Sequence, residues 1–340
     1  MHMIHRGALL VAALALAACA GTATKSESPK AVDDLSDIPR VAPPGALKDP
    51  VHDNLNAVLW SQTAAESQAL LLQGFNRAAA AVAAGKADPA WNALPRDEQS
   101  PLPADAPLAI ITDIDETVLD SSPFNADIIQ NPIDKTLPPD QARKQFDERW
   151  RGWVAESEAL PLPGAEAFLR EAAKQGIEIF YITNRKDDEK QATCDNLLVA
   201  RFPLPSCEKN VLTRNDADGR PKEKGSRRKQ VGSTHRVVAV LGDNLGDFLN
   251  GIYAAREARA GLVDDYAAWW GERWIMMPNP MYGSWEEVLG SLGNDPDSPT
   301  YGEDQQRRRL AKGRNLRGVD WWGKMELDKA KEIKALNGSN

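Results

Sequence analysis

Four short runs rich in Val, Ile, Leu or aromatic residues constrain the fold most strongly: Leu108 to Thr112, Ile177 to Ile182, Val237 to Leu241 and Trp274 to Met277. None shows a sustained polar–apolar alternation, so each reads as a strand buried on both faces. Between the first two, Pro163 opens and Gly176 closes a helical pattern with Ala165, Phe168, Leu169 and Ala172 on one face. Strands alternating with helices predict an α/β fold with a doubly wound parallel sheet. Upstream, Leu55, Val58, Leu59, Ala65, Ala69, Leu72, Phe75, Ala79 and Val82 recur at three- and four-residue steps and predict one long amphipathic helix. Gly85, Pro89, Pro95, Pro101 and Pro103 then break the chain. Residues 121–160 hold no clear strand and follow the first strand directly. They predict a mostly helical cap insertion over the strand ends, where open α/β sheets bind ligands.

The 340 residues are 42% hydrophobic and 26% charged, which excludes disorder throughout and a polytopic membrane protein. A net charge of −8 argues against polymeric nucleic acid as a partner. His2, His5 and Arg6 precede an apolar run from Gly7 to Ala18, too short to span a bilayer and of the length found in signal peptides. The sequence Leu16, Ala17, Ala18, Cys19 resembles the bacterial lipobox, in which the cysteine becomes the acylated first residue after cleavage. Ala20, where an aspartate would favour inner-membrane retention, points to the outer membrane. The expectation is a signal peptide over 1–18, a lipid anchor on Cys19, a Ser-, Thr-, Pro- and Ala-rich flexible tether over 19–50, and a location in the cell envelope facing the periplasm. Export leaves Cys194 and Cys207 as an even pair in an oxidising compartment, where a disulfide is favoured over two reduced thiols. None of His2, His5, His52 and His235 is spaced with a Cys as a zinc site requires, and His235 reads as an ordinary surface residue.

The chemistry gathers at the strand ends. The first strand runs into DIDETVLD, Asp113 to Asp120; the second ends in ITNR, Ile182 to Arg185; the third ends in GDNLGD, Gly242 to Asp247. A lone Asp after a strand usually caps a helix. Three polar clusters on one carboxyl edge need another explanation. Carboxylates at Asp113, Asp115, Asp243 and Asp247 would repel one another without a cation, and Mg2+ fits because it takes oxygen ligands from one or two carboxylates, water and phosphate.

This ordered set, DIDET after a hydrophobic strand, Thr183 ending the second, a lysine before the third and GDxxxD after it, resembles the four motifs of haloacid-dehalogenase (HAD) superfamily phosphatases, whose core is a Rossmannoid sheet. With the lipoprotein signal and the string PNPMYGSWE, Pro278 to Glu286, it is similar to the class C acid phosphatases, which include outer-membrane lipoprotein 5′-nucleotidases. The similarity places a phosphatase domain over 51–290, with the cap at 121–160 and a tail at 291–340. It implies that Asp113 is the nucleophile, forming a phosphoaspartate, and that Asp115 is the acid and base. Mg2+ would be held by Asp113, the Asp115 carbonyl and Asp243, with Asp247 orienting its waters. Thr183 and the Asn184 amide would bind the phosphoryl group together with Lys224 of KGSRR, for which Lys222 and Lys229 are competitors. An aromatic from the cap, Phe146, and one from PNPMYG, Tyr282, would clamp a nucleobase.

The activity implied is hydrolysis of small phosphate esters, most naturally 5′-nucleotides. A phosphotransferase with an alcohol acceptor, or a non-catalytic surface lipoprotein on the same scaffold, are the competing readings. Retention of all four motif aspartates disfavours the last. The basic segment Arg307 to Arg317 is expected to be a solvated helix docked through Trp321 and Trp322, and an oligomer is compatible with the sequence.

Overall fold

The computed structural model describes residues 52–134, 136–214, 222–251, 254, 256–291, 312, 313 and 316. The signal peptide, Cys19, the tether and the tail with Trp321 and Trp322 lie outside the described residues, apart from Ser291, Lys312, Gly313 and Leu316. Among the described residues no helix is long and apolar enough to cross a membrane.

Two helices, α1 (Leu55–Thr63) and α2 (Ala65–Ala87), precede β1 (Leu108–Thr112). The insertion carries α3 (Ser122–Gln130) and α4 (Pro139–Glu156), and α5 (Ala165–Lys174) leads into β2 (Glu178–Lys186). Then follow α6 (Lys190–Val199), α7 (Cys207–Asn210), β3 (Val211–Arg214), α8 (Gly225–Gly232), β4 (Arg236–Gly242), α9 (Arg256–Asp265), β5 (Trp274–Met276) and α10 (Ser284–Ser291). The strands form one sheet in the order β3-β2-β1-β4-β5, every neighbouring pair parallel.

Alternate strand residues enter two separate cores, which is what double winding demands. Ile110, Ile179, Tyr181 and Leu241 pack with Leu71 and Phe75 of α2, Phe168 and Leu169 of α5 and Leu197 of α6. Ile111, Phe180, Ile182 and Val240 pack on the other face with Leu94, Val231 of α8, Phe248 and the fully buried Trp274. At about 25 cal/mol per Å2 of apolar surface, burial of this kind supplies most of the force that holds the layers together.

The structure corrects two expectations and adds a strand. The helix over 55–82 is two helices, because Ala64 is extended at φ −78°, ψ 127°. Neither Gly nor Pro breaks it. Val58 of α1 packs with Ile129 and Met281 in a small cluster of its own, whereas α2 lies on the main core, and one straight helix could not serve both. The edge strand β3 was not expected: its four residues are too short to stand out, and its pairing with Tyr181 and Ile182 defines it. His235 is buried, not on the surface, held by Thr234 Oγ1 at 2.8 Å and Glu178 Oε2 at 2.9 Å with its ring edge-on to Phe180.

Cys194 of α6 and Cys207 of α7 are joined in a disulfide with Cα atoms 5.7 Å apart. It ties the helix that follows β2 to the start of β3.

Candidate active site

Because β1, β2 and β4 are parallel neighbours, their C-terminal ends open on one edge, and the three polar clusters meet there. Asp113 follows β1 directly, its amide bonded to Leu241 O of β4 at 3.0 Å. Asp243 follows Gly242, the last residue of β4. Any side chain at 242 would collide with Asp247, since a Cβ there would sit 2.3 Å from Asp247 Cβ, so the glycine is what lets the Asp247 carboxylate fold back against the strand end. Asp247 is fixed from its other oxygen edge by the Asn244 amide, which donates to Oδ2 at 2.9 Å.

Oxygen atoms of Asp113, Asp243 and Asp247 lie within 4.8 Å of one another. A single cation, Lys224, faces two of them: Nζ is 2.6 Å from Asp113 Oδ1 and 2.6 Å from Asp247 Oδ1, and the side chain is only 3% exposed. The two competitors stand elsewhere, Lys222 paired with Glu287 at 3.3 Å and Lys229 exposed. Burial opposes the Lys224 charge, but Asp113 and Asp247 outweigh it and raise its pKa. Asp243 is met by Thr117 Oγ1 at 3.0 Å and Asn279 Nδ2 at 2.8 Å. Burial, followed by the charges of Asp247 and Asp113, drives its pKa well above the usual carboxylate range. Burial also pushes Asp113 up to about 6, against the pull of Lys224. Three carboxylates, Asp247 buried and Asp113 and Asp243 partly so, outnumber one ammonium, so the donor set of hard oxygens fits a divalent metal, which would relieve their mutual repulsion.

Thr183 is buried inside β2, which runs on to Lys186 past the end expected at Thr183, with the pairing to β3 shifting register after Ile182; its hydroxyl accepts from the Arg185 amide at 3.1 Å. Arg227 of α8 reaches back to the Thr183 carbonyl and to Asn184 Oδ1, the latter at 2.9 Å. Asp115 does not join the carboxylate cluster. Both its oxygens are taken by Arg185, Nε to Oδ2 at 3.0 Å and Nη2 to Oδ1 at 2.7 Å.

Each of the two aromatic candidates contacts the start of α3. Tyr282 OH is 3.3 Å from Ser121 Oγ, one residue before the helix, while Phe146 packs edge-on against Phe124 in its first turn. Phe146 therefore belongs to an aromatic group with Phe124, Trp150 and Trp153. Ser121 is itself held by Glu116, whose Oε1 accepts from its hydroxyl at 2.6 Å and its amide at 2.9 Å.

Sequence reasoning missed several residues that build this site. Arg185 was visible only as the end of ITNR, although an arginine closing an apolar strand must find a partner once buried. Arg228 sits in a basic run of the type that is commonly a solvated helix face, yet it is fully buried against Glu98. Thr117 lies in DIDET and Asn279 in PNPMYGSWE, but neither string shows that the two side chains meet on Asp243, which is remote from both in sequence.

The family model of the HAD superfamily, subfamily IIIB (acid phosphatase), matches residues 22–285. The chain belongs to this family of phosphomonoester hydrolases. Its structure is similar to the class C acid phosphatase from Bacillus anthracis, with 31% sequence identity and a TM-score of 0.63 over 78% of this chain and 97% of that one. The same enzyme from Bacillus anthracis with tungstate bound matches at 30% identity and a TM-score of 0.63, over 78% and 97% of the two chains.

Proposed function

We propose that the protein is a Mg2+-dependent phosphatase of 5′-nucleotides and similar small phosphate esters, working through a phosphoaspartate. The observation that carries the reading is Lys224, one buried ammonium shared between Asp113 and Asp247 at 2.6 Å each, beside Asp243, which is held by Thr117 and Asn279. An Asp113 oxygen attacks phosphorus as the ester P–O bond breaks, and Asp115 gives its proton to the departing oxygen. Water then attacks the phosphoaspartate, Asp115 takes a proton from it, and phosphate leaves with Asp113 regenerated. Lys224 and the Thr183 hydroxyl and Asn184 amide bind the phosphoryl oxygens as charge develops. Asp113, Asp243 and the Asp115 carbonyl would hold the ion, with Asp247 alongside; when bound, the metal neutralises charge on the phosphoryl oxygens and on the carboxylates. Tungstate, found on the Bacillus anthracis enzyme, is an oxyanion with the shape of phosphate, which supports a phosphoryl site here.

Tyr282 and Phe146 are proposed to hold the nucleobase, and Cys19 to anchor the chain by lipid to the outer membrane, facing the periplasm. The test is phosphate release with and without Mg2+ across nucleotides and simple alkyl esters, beside Asp113→Asn. That variant should lose turnover while its far-UV circular dichroism stays unchanged; full activity would refute the phosphoaspartate. Phosphoryl transfer to added nucleoside in place of phosphate release would assign the chain to phosphotransfer instead.

A further inference from the structure

We infer that Arg185 is the residue that positions Asp115 for proton transfer to the leaving group, and that the cap helix α4 sets Arg185 in place. This rests on the proposed acid–base role of Asp115. The guanidinium is fixed on every side. Its Nε and Nη2 grip the two Asp115 oxygens at 3.0 and 2.7 Å, and its Nη1 donates to Thr193 Oγ1 at 3.2 Å. The Trp150 and Trp153 rings of α4 each have their centroid 5.7 Å from its Cζ. Thr193 is locked in turn by its own bond to Glu189 O at 2.8 Å. Two ion pairs, Lys186–Asp147 at 3.4 Å and Arg151–Asp188 at 3.3 Å, tie α4 to the same end of β2.

A planar fork holding both oxygens fixes the plane of the carboxyl group, which one ammonium cannot do. Fixing that plane is compatible with acid catalysis. A protonated carboxyl keeps acceptor capacity on both oxygens, so Arg185 can retain its two bonds while the O–H is donated to the leaving oxygen. The proton passes from Asp115 to that oxygen as the ester bond breaks, and Arg185 gives up nothing.

The leaving group separates this role from a structural one. Alkoxide departure needs the proton, nitrophenoxide departure scarcely does, and kcat/KM reports the steps up to that departure. The experiment compares kcat/KM for benzyl phosphate and p-nitrophenyl phosphate in wild type, Asp115→Asn, Arg185→Lys, Thr193→Val and the double variant Asp115→Asn/Arg185→Lys. Arg185→Lys should lose roughly ten- to a hundredfold on the benzyl ester, as for a misplaced catalytic group, and less than about threefold on the nitrophenyl ester. In the Asp115→Asn background the same change should cost less than about twofold on either ester, because the two residues act as a unit. Thr193→Val keeps both charges and should shift the benzyl ester alone in the same direction, which decides the matter should Arg185→Lys fail to fold. Equal losses on both esters, or additive losses in the double variant, would overturn the positioning role. If Asp115→Asn itself does not discriminate between the esters, the acid role fails instead.

Discussion

Glu98 and Arg228 form an ion pair remote in sequence and buried to 2% and 0% exposure, and removing one partner should reveal how the Asp247 loop is held. Arg228 meets Glu98 through Nε at 2.7 Å and Nη2 at 2.6 Å, and spends Nη1 on the carbonyls of Gly246 at 2.9 Å and Asp247 at 3.0 Å. In Glu98→Ala the guanidinium keeps its carbonyl acceptors but loses its counter-charge in a place water does not reach. Breaking a buried pair in this way costs about 3 to 5 kcal/mol. For a domain of this size each kcal/mol lowers Tm by roughly 2 to 4 °C, so a drop of about 10 °C is expected. The double variant Glu98→Leu/Arg228→Met removes both charges and should recover most of that stability, since apolar replacements of a buried pair are often neutral. Its activity should stay roughly ten- to a hundredfold low in kcat/KM, because the carbonyls of 246 and 247 have lost the donor that holds the loop seating Lys224. Urea unfolding followed by tryptophan fluorescence, with phosphatase assays on the same preparations, measures both. A double variant with wild-type activity would refute the positioning argument, and an undiminished Glu98→Ala would refute the energetic one.

Reduction should destabilise the fold: the Cys194–Cys207 bond closes a loop of sequence separation 13, worth roughly 3 kcal/mol by chain entropy. Melting with and without reductant checks this, and an unchanged Tm would contradict it. In metal-free protein, burial holds the folded-state pKa of Asp113 near 6 against 3.8 unfolded, so the folded state binds more protons in that window and stability falls as pH rises through it, by about 3 kcal/mol. A divalent ion removes this penalty, so Mg2+ should raise Tm more at pH 7 than at pH 5 relative to chelator; an equal rise at both would count against the ion binding these carboxylates. Tyr282→Ala should lower kcat/KM for a 5′-nucleotide by roughly ten- to a hundredfold, the worth of stacking on a base, and leave a small alkyl phosphate nearly unchanged. Equal losses on both would make Tyr282 a support of the fold.

Much of the architecture was legible because a strand buried on both faces announces itself in a few consecutive residues. Strand β1 lies where its residues Leu108 to Thr112 put it, and α5, the helix that leads into β2, is closed by Gly176 at φ 80°, the conformation that makes glycine a helix stop. What failed was whatever depends on a distant partner. Ala64 is an ordinary helix former, and only the separate seat of Val58 explains the break beside it. Strand β3 exists because Tyr181 and Ile182 offer it an edge.

The same division runs through the site. Asp113, Asp243 and Asp247 stand out because each follows a strand by a short fixed spacing, and parallel pairing then brings strand ends together without further information. Which group restrains which acid was not readable: Glu98 acts through Arg228, Thr117 and Asn279 meet Asp243, and Arg185 holds Asp115. Each satisfies a buried charge, and a buried charge can be satisfied by any donor that arrives in the right place. A nucleophile must be a particular side chain at a particular strand end, whereas its restraints need only be donors, and that freedom is why the acids could be assigned roles from the sequence while Thr117, Asn279 and Arg185 sat in the same strings with their partners unread and Glu98 lay outside them altogether.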